Sequence, residues 1–425
     1  MKNSFSHPDW SNKSNIYEVN IRQYTKEGTF KSFLPHIDRL HKMGVDILWI
    51  MPISPIGKIN RKGKLGSYYA ISDYTAINPE FGTIADFKEV VEKVHSLGMH
   101  IIIDWVANHT SWDHSWVRSN PEWYQKDADG VIKSPFDWTD ALALNYENKD
   151  LWKAMIDSMK YWLEETDIDG FRCDVAMLVP VEFWNEARSE LDKIKHVFML
   201  AEAEEPNQHE KAFDASYTWE LFKIMQKVSK GENNVEHIFE EIEKEKPLFP
   251  KSAYRMLFTS NHDENSWNGT EFELFGDAAR TFSVLTFVMP GIPLIYNGQE
   301  AGLNHRLEFF EKDEINWENL YSEDYYKYII NIRNANPALW NGEEGGDIVK
   351  LNNNNPSKIF SFARQKGDNT VLVFCNLSQD GIDTSINFAS FEGVYTNSFT
   401  KEEIIVTTDT KFYFAPWQYY VIEKY

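Results

Sequence analysis

The chain has little cysteine: two thiols in 425 residues, Cys173 and Cys375, far apart in sequence. A disulfide framework is excluded, and Cys173, inside an apolar strand-like segment, reads as a small buried hydrophobe. Basic charge is also scarce, with 43 Lys and Arg against 65 Asp and Glu and a net charge of -22. No basic cluster interrupts this acidity, which repels the phosphates of nucleic acids and of anionic membrane surfaces, so neither is an expected partner. A neutral or cationic ligand fits better. Long apolar runs are missing too. The one long uncharged stretch, Thr281 to Gln299, contains Pro290, Gly291 and Pro293 and reads as a short helix followed by a strand, not as a membrane span. Met1 to Trp10 lacks a basic start followed by an apolar stretch, so no leader is read in the chain as given. The expected location is the cytoplasm, or the periplasm or the exterior where a leader has been removed.

What is present suits a large globular core: 42% hydrophobic and 15% aromatic residues exclude a disordered acidic chain. From residue 16 to residue 340, short apolar runs alternate with helix-period segments, the pattern of strand-helix units around a parallel sheet. Eight strands are expected: Ile16 to Ile21, Ile47 to Met51, Met99 to Asp104, Ile168 to Asp174, Val197 to Glu202, Phe213 to Tyr217, Arg255 to Ser260 and Ile292 to Asn297. One helix, with Phe33, Leu34, Ile37 and Leu40 on a face, closes at Gly44, and another is capped by Thr83 with Asp86 three residues on and ends at Gly98. Eight strand-helix units predict an α/β fold, a closed (β/α)8 TIM barrel, with its chemistry at the carboxyl ends of the strands.

An irregular stretch rich in Trp, Asp, Pro and Ser interrupts the pattern after the third strand and reads as an inserted subdomain over 108–145. After residue 345 the helical period gives way to β-rich runs, Ile359 to Ala363, Thr370 to Leu377 and Phe412 to Ile422. The expected organisation is a barrel over 1–107 and 146–345, the insertion, and a C-terminal antiparallel β-sandwich domain over 346–425.

Acids recur where the barrel strands end. Arg172 and Asp174 share one side of the fourth strand by its period of two, and an arginine beside a carboxylate favours the ionised form that a carboxylate nucleophile needs to attack a sugar carbon. Glu202 ends the next strand, so two carboxyl groups share one mouth. Such a pair, about 5 to 5.5 Å apart, suits a retaining glycosidase. Asn261-His262-Asp263 ends the seventh strand and Asp104 to His109 the third. Any one of these acids or histidines alone also fits a structural ion pair; their recurrence on one barrel face favours function.

With these residues in place, the chain resembles α-amylase-type enzymes of glycoside hydrolase family 13. The four short signatures of that family occur in family order as Asp104 to His109, Gly170 to Asp174, Glu202, and Asn261 to Asp263, and Gly291 to Glu300 resembles its eighth-strand motif. The resemblance spans nearly the whole chain. It implies Asp174 as nucleophile, Glu202 as general acid/base and Asp263 as the residue that holds sugar hydroxyls and stabilises the transition state. Arg172 would orient Asp174, His109 and His262 would donate to the sugar being cleaved, Asp104 would support the site, and Tyr69 would stack on the same sugar.

Ala70 stands beside Tyr69 where many exo-acting relatives carry an aspartate that grips the chain end, which favours an endo-acting cleft. Trp105, Trp112, Trp116, Trp123 and Trp138, in and around the insertion, are compatible either with glucan stacking or with the insertion's own core. The family often holds calcium between barrel and insertion through an asparagine, here Asn108, and an acid, but this chain has Ala143 where that acid stands, leaving Asp137 or Asp140 to substitute. No cofactor or metal is expected to be required, and Asp127-Ala128-Asp129-Gly130 reads as a solvated turn. Val175-Ala176-Met177 replaces a Lys-His pair common after the nucleophile, leaving the leaving-side preference open.

The expected activity is retaining, endo-acting hydrolysis of α-1,4-glucosidic bonds in starch, glycogen or maltooligosaccharides, with an α-glucan as partner and a monomeric chain. A transglycosylase, neopullulanase or α-glucosidase of the same family is the alternative, and a catalytically silent glucan-binding barrel a remote one.

Overall fold

Short, mostly apolar runs form the eight barrel strands, and every residue in them is buried except the half-buried His100. In a computed structural model that describes residues 6–408 and 410–424, they run over Ile16–Val19, Ile47–Ile50, His100–Trp105, Gly170–Cys173, Phe198–Ala201, Ala215–Tyr217, Tyr254–Leu257 and Ile292–Tyr296. All neighbours pair in parallel, and Ile16 pairs with both Ile47 and Leu294, which closes first strand on eighth. All eight expected strands are present. The first five residues of the Met1 to Trp10 segment lie outside the described residues.

The helices follow from local signals. Thr83 accepts from the Asp86 amide while Asp86 accepts from the Thr83 amide, a reciprocal cap that starts Ile84–Ser96, and Gly98 turns the chain at φ 73°. The helix read through Phe33 to Leu40 is broken instead: Phe30–Phe33 and Ile37–Met43 are separated by a 3-10 turn over Leu34–His36. Pro35 has no amide hydrogen to continue the ladder, and Leu34 is only half-buried as a result. Among the described residues no helix is long and apolar enough to cross a membrane.

The insertion holds a two-stranded antiparallel ladder, His109–Ser111 against Ala141–Ala143. Its Asp127 side chain accepts from the amides of Asp129 and Val131, which makes Asp127 to Gly130 an exposed side-chain-closed turn. The C-terminal strands form a six-stranded and a three-stranded antiparallel sheet. One expectation fails here. Phe412 to Ile422 is not one run: Thr410–Phe414 belongs to the three-stranded sheet and Tyr419–Lys424 to the six-stranded one. Pro416 cannot donate to a ladder and Trp417 adopts φ 57°, so the chain turns from one layer to the other.

Buried Arg364 fastens this β unit to the barrel, and buried Arg333, on the helix Glu323–Ala335, binds carbonyls of the barrel region itself. Arg364 donates to the carbonyls of Val288 and Met289, at the carboxyl end of helix Ala279–Val288, and to those of Leu339, Trp340 and Gly346. Arg333 donates to Phe287, Leu339 and Gly291 carbonyls and to Asn341. Unsatisfied carbonyls and the negative end of a helix dipole favour cations there.

Candidate active site

At the carboxyl face of the barrel, one guanidinium organises three acids. Arg172, on the fourth strand and fully buried, places Nη1 3.0 Å from Asp104 Oδ1 and 3.0 Å from Asp174 Oδ1, and Nη2 2.8 Å from Glu202 Oε2. Its Nε donates to the Tyr217 hydroxyl at 3.2 Å. The third, fourth, fifth and sixth strands thus meet at one side chain. A buried charge demands this pairing, because desolvating a guanidinium without partners costs several kcal/mol.

Glu202 Oε2 also accepts the Val175 amide at 2.8 Å. Val175 has φ 37° and ψ 47°, a left-handed conformation that a β-branched residue rarely takes and that turns its N–H onto the acid. Asp174, Glu202 and Asp263 line a cleft of about 550 Å³ together with Tyr69, Ala70 and His109.

Charge in the cleft does not follow the simple expectation for Asp174. Burial first, and then the facing Glu202, push the Asp174 carboxyl well above the ordinary carboxylate range; Arg172 opposes them and is outweighed. Asp174 therefore holds a proton more tightly than an ordinary aspartate does. Burial likewise lifts Asp104 to about 6 against Arg172 and His262. His109 is pulled down to about 4 by burial and is neutral at pH 7, with Nδ1 3.2 Å from Asn108 Nδ2.

Tyr69 and His262 lie below the acids. The Tyr69 hydroxyl is 2.7 Å from His262 Nε2 and 3.1 Å from Asp104 Oδ2, and the two rings stack with centroids 5.6 Å apart. His262 Nε2 also stands 3.4 Å from Asp263 Oδ2. All eight residues singled out in the sequence, Asp174, Glu202, Asp263, Tyr69, Asp104, His109, Arg172 and His262, thus belong to one cleft and the side chains directly beneath it.

Other contributors escaped the sequence reading. Glu18 on the first strand is 2.5 Å from His262 Nδ1, and Trp49 on the second donates Nε1–H to Asp104 at 3.2 Å. Neither ends a strand in the way the search for chemistry assumed, although an acid inside an apolar strand was itself a signal, since a buried charge needs a partner. Trp267, Phe309 and Phe310 form one wall of the cleft, with Phe309 5.1 Å from both other rings. Of the five tryptophans around the insertion, Trp138 lines the cleft, while Trp105 and Trp123 are buried in the core.

The residues where relatives hold calcium do not fit that ion. Ala143 sits in the insertion's ladder opposite His109, and the Lys62 ammonium lies 3.3 Å from Asp140, one of the two acids available to substitute. Calcium takes six to eight oxygen ligands, and a cation already beside Asp140 disfavours a second one there. Among the described residues no group of three His, Cys, Asp or Glu side chains is placed to hold a metal.

Residues 3–141 and 135–346 match the family described as alpha amylase, catalytic domain. The chain is 26% identical to an alpha-amylase, MalA, of Haloarcula japonica over 88% of its own length, spanning 56% of that protein. It is 26% identical to alpha-amylase 2 of Dictyoglomus thermophilum, covering 93% of the chain and 75% of the relative. Among solved structures, an alpha-amylase from Lactobacillus plantarum superposes with TM-score 0.86 at 30% identity, over 98% of this chain and all of that one. A maltogenic alpha-amylase, AmyB, from Thermotoga neapolitana superposes with TM-score 0.88 at 28% identity, over 97% and 98% of the two chains. The four strand-end signatures, the closed barrel that gathers them around Arg172 and the match over most of the chain make this protein a member of the α-amylase family, glycoside hydrolase family 13.

Proposed function

We propose that the protein is a retaining, endo-acting hydrolase of α-1,4-glucosidic bonds in starch, glycogen or maltooligosaccharides. The observation that carries this reading is the single Arg172 guanidinium shared by Asp174 and Glu202 at the floor of an aromatic-walled cleft. Asp174, as carboxylate, attacks the anomeric carbon while the bond to the leaving oxygen breaks and Glu202 delivers its proton to that oxygen. Glu202 then takes a proton from water, whose oxygen displaces Asp174 from the same carbon, so the α configuration is kept. One proton on the two acids is what this division of labour requires, and burial of Asp174 facing Glu202 disfavours two charges there.

Asp263 holds the sugar hydroxyls and stabilises the charge that develops on the ring, Tyr69 offers its face to the sugar, and His109 and His262 donate to its hydroxyls. Asp104 and Arg172 hold the acids in register. The small Ala70 in the cleft wall leaves room for a chain to run past the site, which supports internal cleavage. We read the enzyme as needing no calcium, on the donor set described above.

Time-resolved proton NMR of maltoheptaose with the purified protein tests the proposal. Internal cuts with α-anomeric products are expected. Stepwise release of glucose would replace the endo reading by an exo one. Products longer than heptaose would establish transfer, a reading favoured by the 28% identity, over 93% of this chain, to an alpha-1,4-glucan:maltose-1-phosphate maltosyltransferase of Picrophilus torridus. Unchanged maltoheptaose, starch and glycogen would sink both.

A further inference from the structure

A line of buried polar contacts runs beneath the cleft, and its hydrogens can be counted. Glu18 Oε1, on the first strand, is 2.5 Å from His262 Nδ1. His262 Nε2 is 2.7 Å from the Tyr69 hydroxyl, which is 3.1 Å from Asp104 Oδ2. Asp104 also receives Arg172 Nη1 on both oxygens, at 3.0 and 3.2 Å, and Trp49 Nε1 on Oδ2 at 3.2 Å. Arg172 and Trp49 can only donate, and between them they occupy both oxygens, which fixes Asp104 as a carboxylate.

A carboxylate only accepts. Glu18 therefore takes a hydrogen from Nδ1, and Asp104 takes the one hydrogen that the Tyr69 hydroxyl owns. Tyr69 has none left for His262, so the short contact between them needs a hydrogen on Nε2. The ring then carries hydrogens on both nitrogens. A neutral ring would instead draw the Tyr69 hydrogen to Nε2 and set the hydroxyl lone pairs against the Asp104 carboxylate at 3.1 Å, a repulsive contact.

We propose that Glu18 is a positioning residue: it keeps His262 as an imidazolium, which fixes the Tyr69 hydroxyl on Asp104 and holds both rings in place for the sugar. This rests on the reading of Tyr69 and His262 as sugar contacts. The groups facing His262 are Glu18 from the first strand, Trp49 edge-on from the second, Tyr69 from the loop that follows, Asp263 from the seventh and Arg172 from the fourth. Burial and Arg172 work against a second proton. Asp263 and Glu18 prevail and lift the ring to about 9. Glu18 is fully buried, so its charge acts unscreened by solvent.

Consequences follow for the working enzyme. Loss of the His262 proton frees the Tyr69 hydroxyl to swing onto Nε2, which breaks its bond to Asp104. Activity on the alkaline side should fall with that proton. Glu18→Gln keeps the shape and still accepts Nδ1–H, but removes the charge that retains the proton.

The test is a pH titration of the protein labelled with 13C at histidine Cε1, His262→Gln identifying the resonance, alongside kcat/KM profiles of parent and Glu18→Gln. In the parent the His262 signal is expected to stay at its protonated position through pH 8. In Glu18→Gln its midpoint should fall by about one pH unit or more, with the alkaline limb of kcat/KM moving by the same amount. A neutral His262 in the parent at pH 7 overturns the proposal, and so does a Glu18→Gln enzyme with an unmoved midpoint. Should Glu18→Gln not fold, the parent titration alone decides. The NMR readout needs no substrate, so inactivity on every α-glucan with a protonated His262 would refute the proposed function and leave this inference standing.

Discussion

The Val175 amide donates to Glu202 Oε2 at 2.8 Å, from a backbone held at φ 37°. Arg172 Nη2 lies 2.8 Å from the same oxygen as an ionic partner, so Oε2 faces an amide donor and a cation, and the acid proton belongs on Oε1. Strain of about 1–2 kcal/mol at a β-branched residue is the cost of aiming that amide.

Replacing the Val175 amide by an ester, through incorporation of the matching α-hydroxy acid, removes only the N–H. Cleavage of maltoheptaose is expected to slow about tenfold, the worth of a hydrogen bond to a charged group. Glycosyl fluorides, whose leaving group needs no proton, should react nearly as before. Equal losses on both substrates would contradict a role in aiming the acid.

Asp174→Asn is expected to lower kcat by at least about a thousandfold while the protein still folds, since it removes the nucleophile but keeps its shape. Folding the parent places Asp174 where its ionised form is disfavoured, so stability contributed by its protonated form is present at low pH and declines as pH rises past about 4. The variant, which never ionises, should therefore melt no lower than the parent at pH 7. Activity within tenfold of the parent, measured with a reducing-sugar assay, would reject the assignment.

The raised affinity of Asp174 for a proton sets the acid side of the profile. Falling pH adds the second proton, Asp174 becomes neutral and cannot attack. The midpoint of the acid limb of kcat/KM is expected above the roughly 4 of an ordinary aspartate. A limb at or below that value would mean that Arg172 dominates the pair.

Chelation should leave both activity and melting temperature unchanged, because Ala143 and the Lys62–Asp140 contact leave the usual calcium position without a sufficient oxygen set. A drop of several degrees in EDTA, restored by added calcium, would show that the ion is held by other oxygens.

Arg364→Met is expected to cost about 3–5 kcal/mol, because it takes the donor from the carbonyls of Val288, Met289, Trp340 and Gly346, at the junction of the helix Ala279–Val288 and the β unit, while Leu339 keeps Arg333. Activity of the folded fraction at low temperature should be unchanged, as Arg364 lies far from the cleft in the C-terminal sheet. Denaturant unfolding followed beside kcat separates the two effects.

Much of this was legible in the chain. Ile47 to Met51 and Val197 to Glu202 announce strands because each is built on a short apolar run, and the order of strands in a barrel then brings Asp174 and Glu202 together without further information. Thr83 and Asp86 marked a helix start because a cap is made within four residues. The turn at Pro416 was missed because the apolar pattern of Phe412 to Ile422 does not reveal that its two ends serve different sheets.

The sequence by itself determined the fold class and the inventory of acids at the strand ends, since both depend on periodicity and on chain order, which are local. Only the tertiary structure decided which protons those acids hold and which residues hold them in place. Proton affinity sums burial and the fields of groups on different strands: Glu18 and His262 are 244 residues apart in sequence and 2.5 Å apart in space. For that reason Arg172, two residues from Asp174, favours its ionised form, while burial and then Glu202, one strand away, outweigh it and raise the carboxyl's proton affinity.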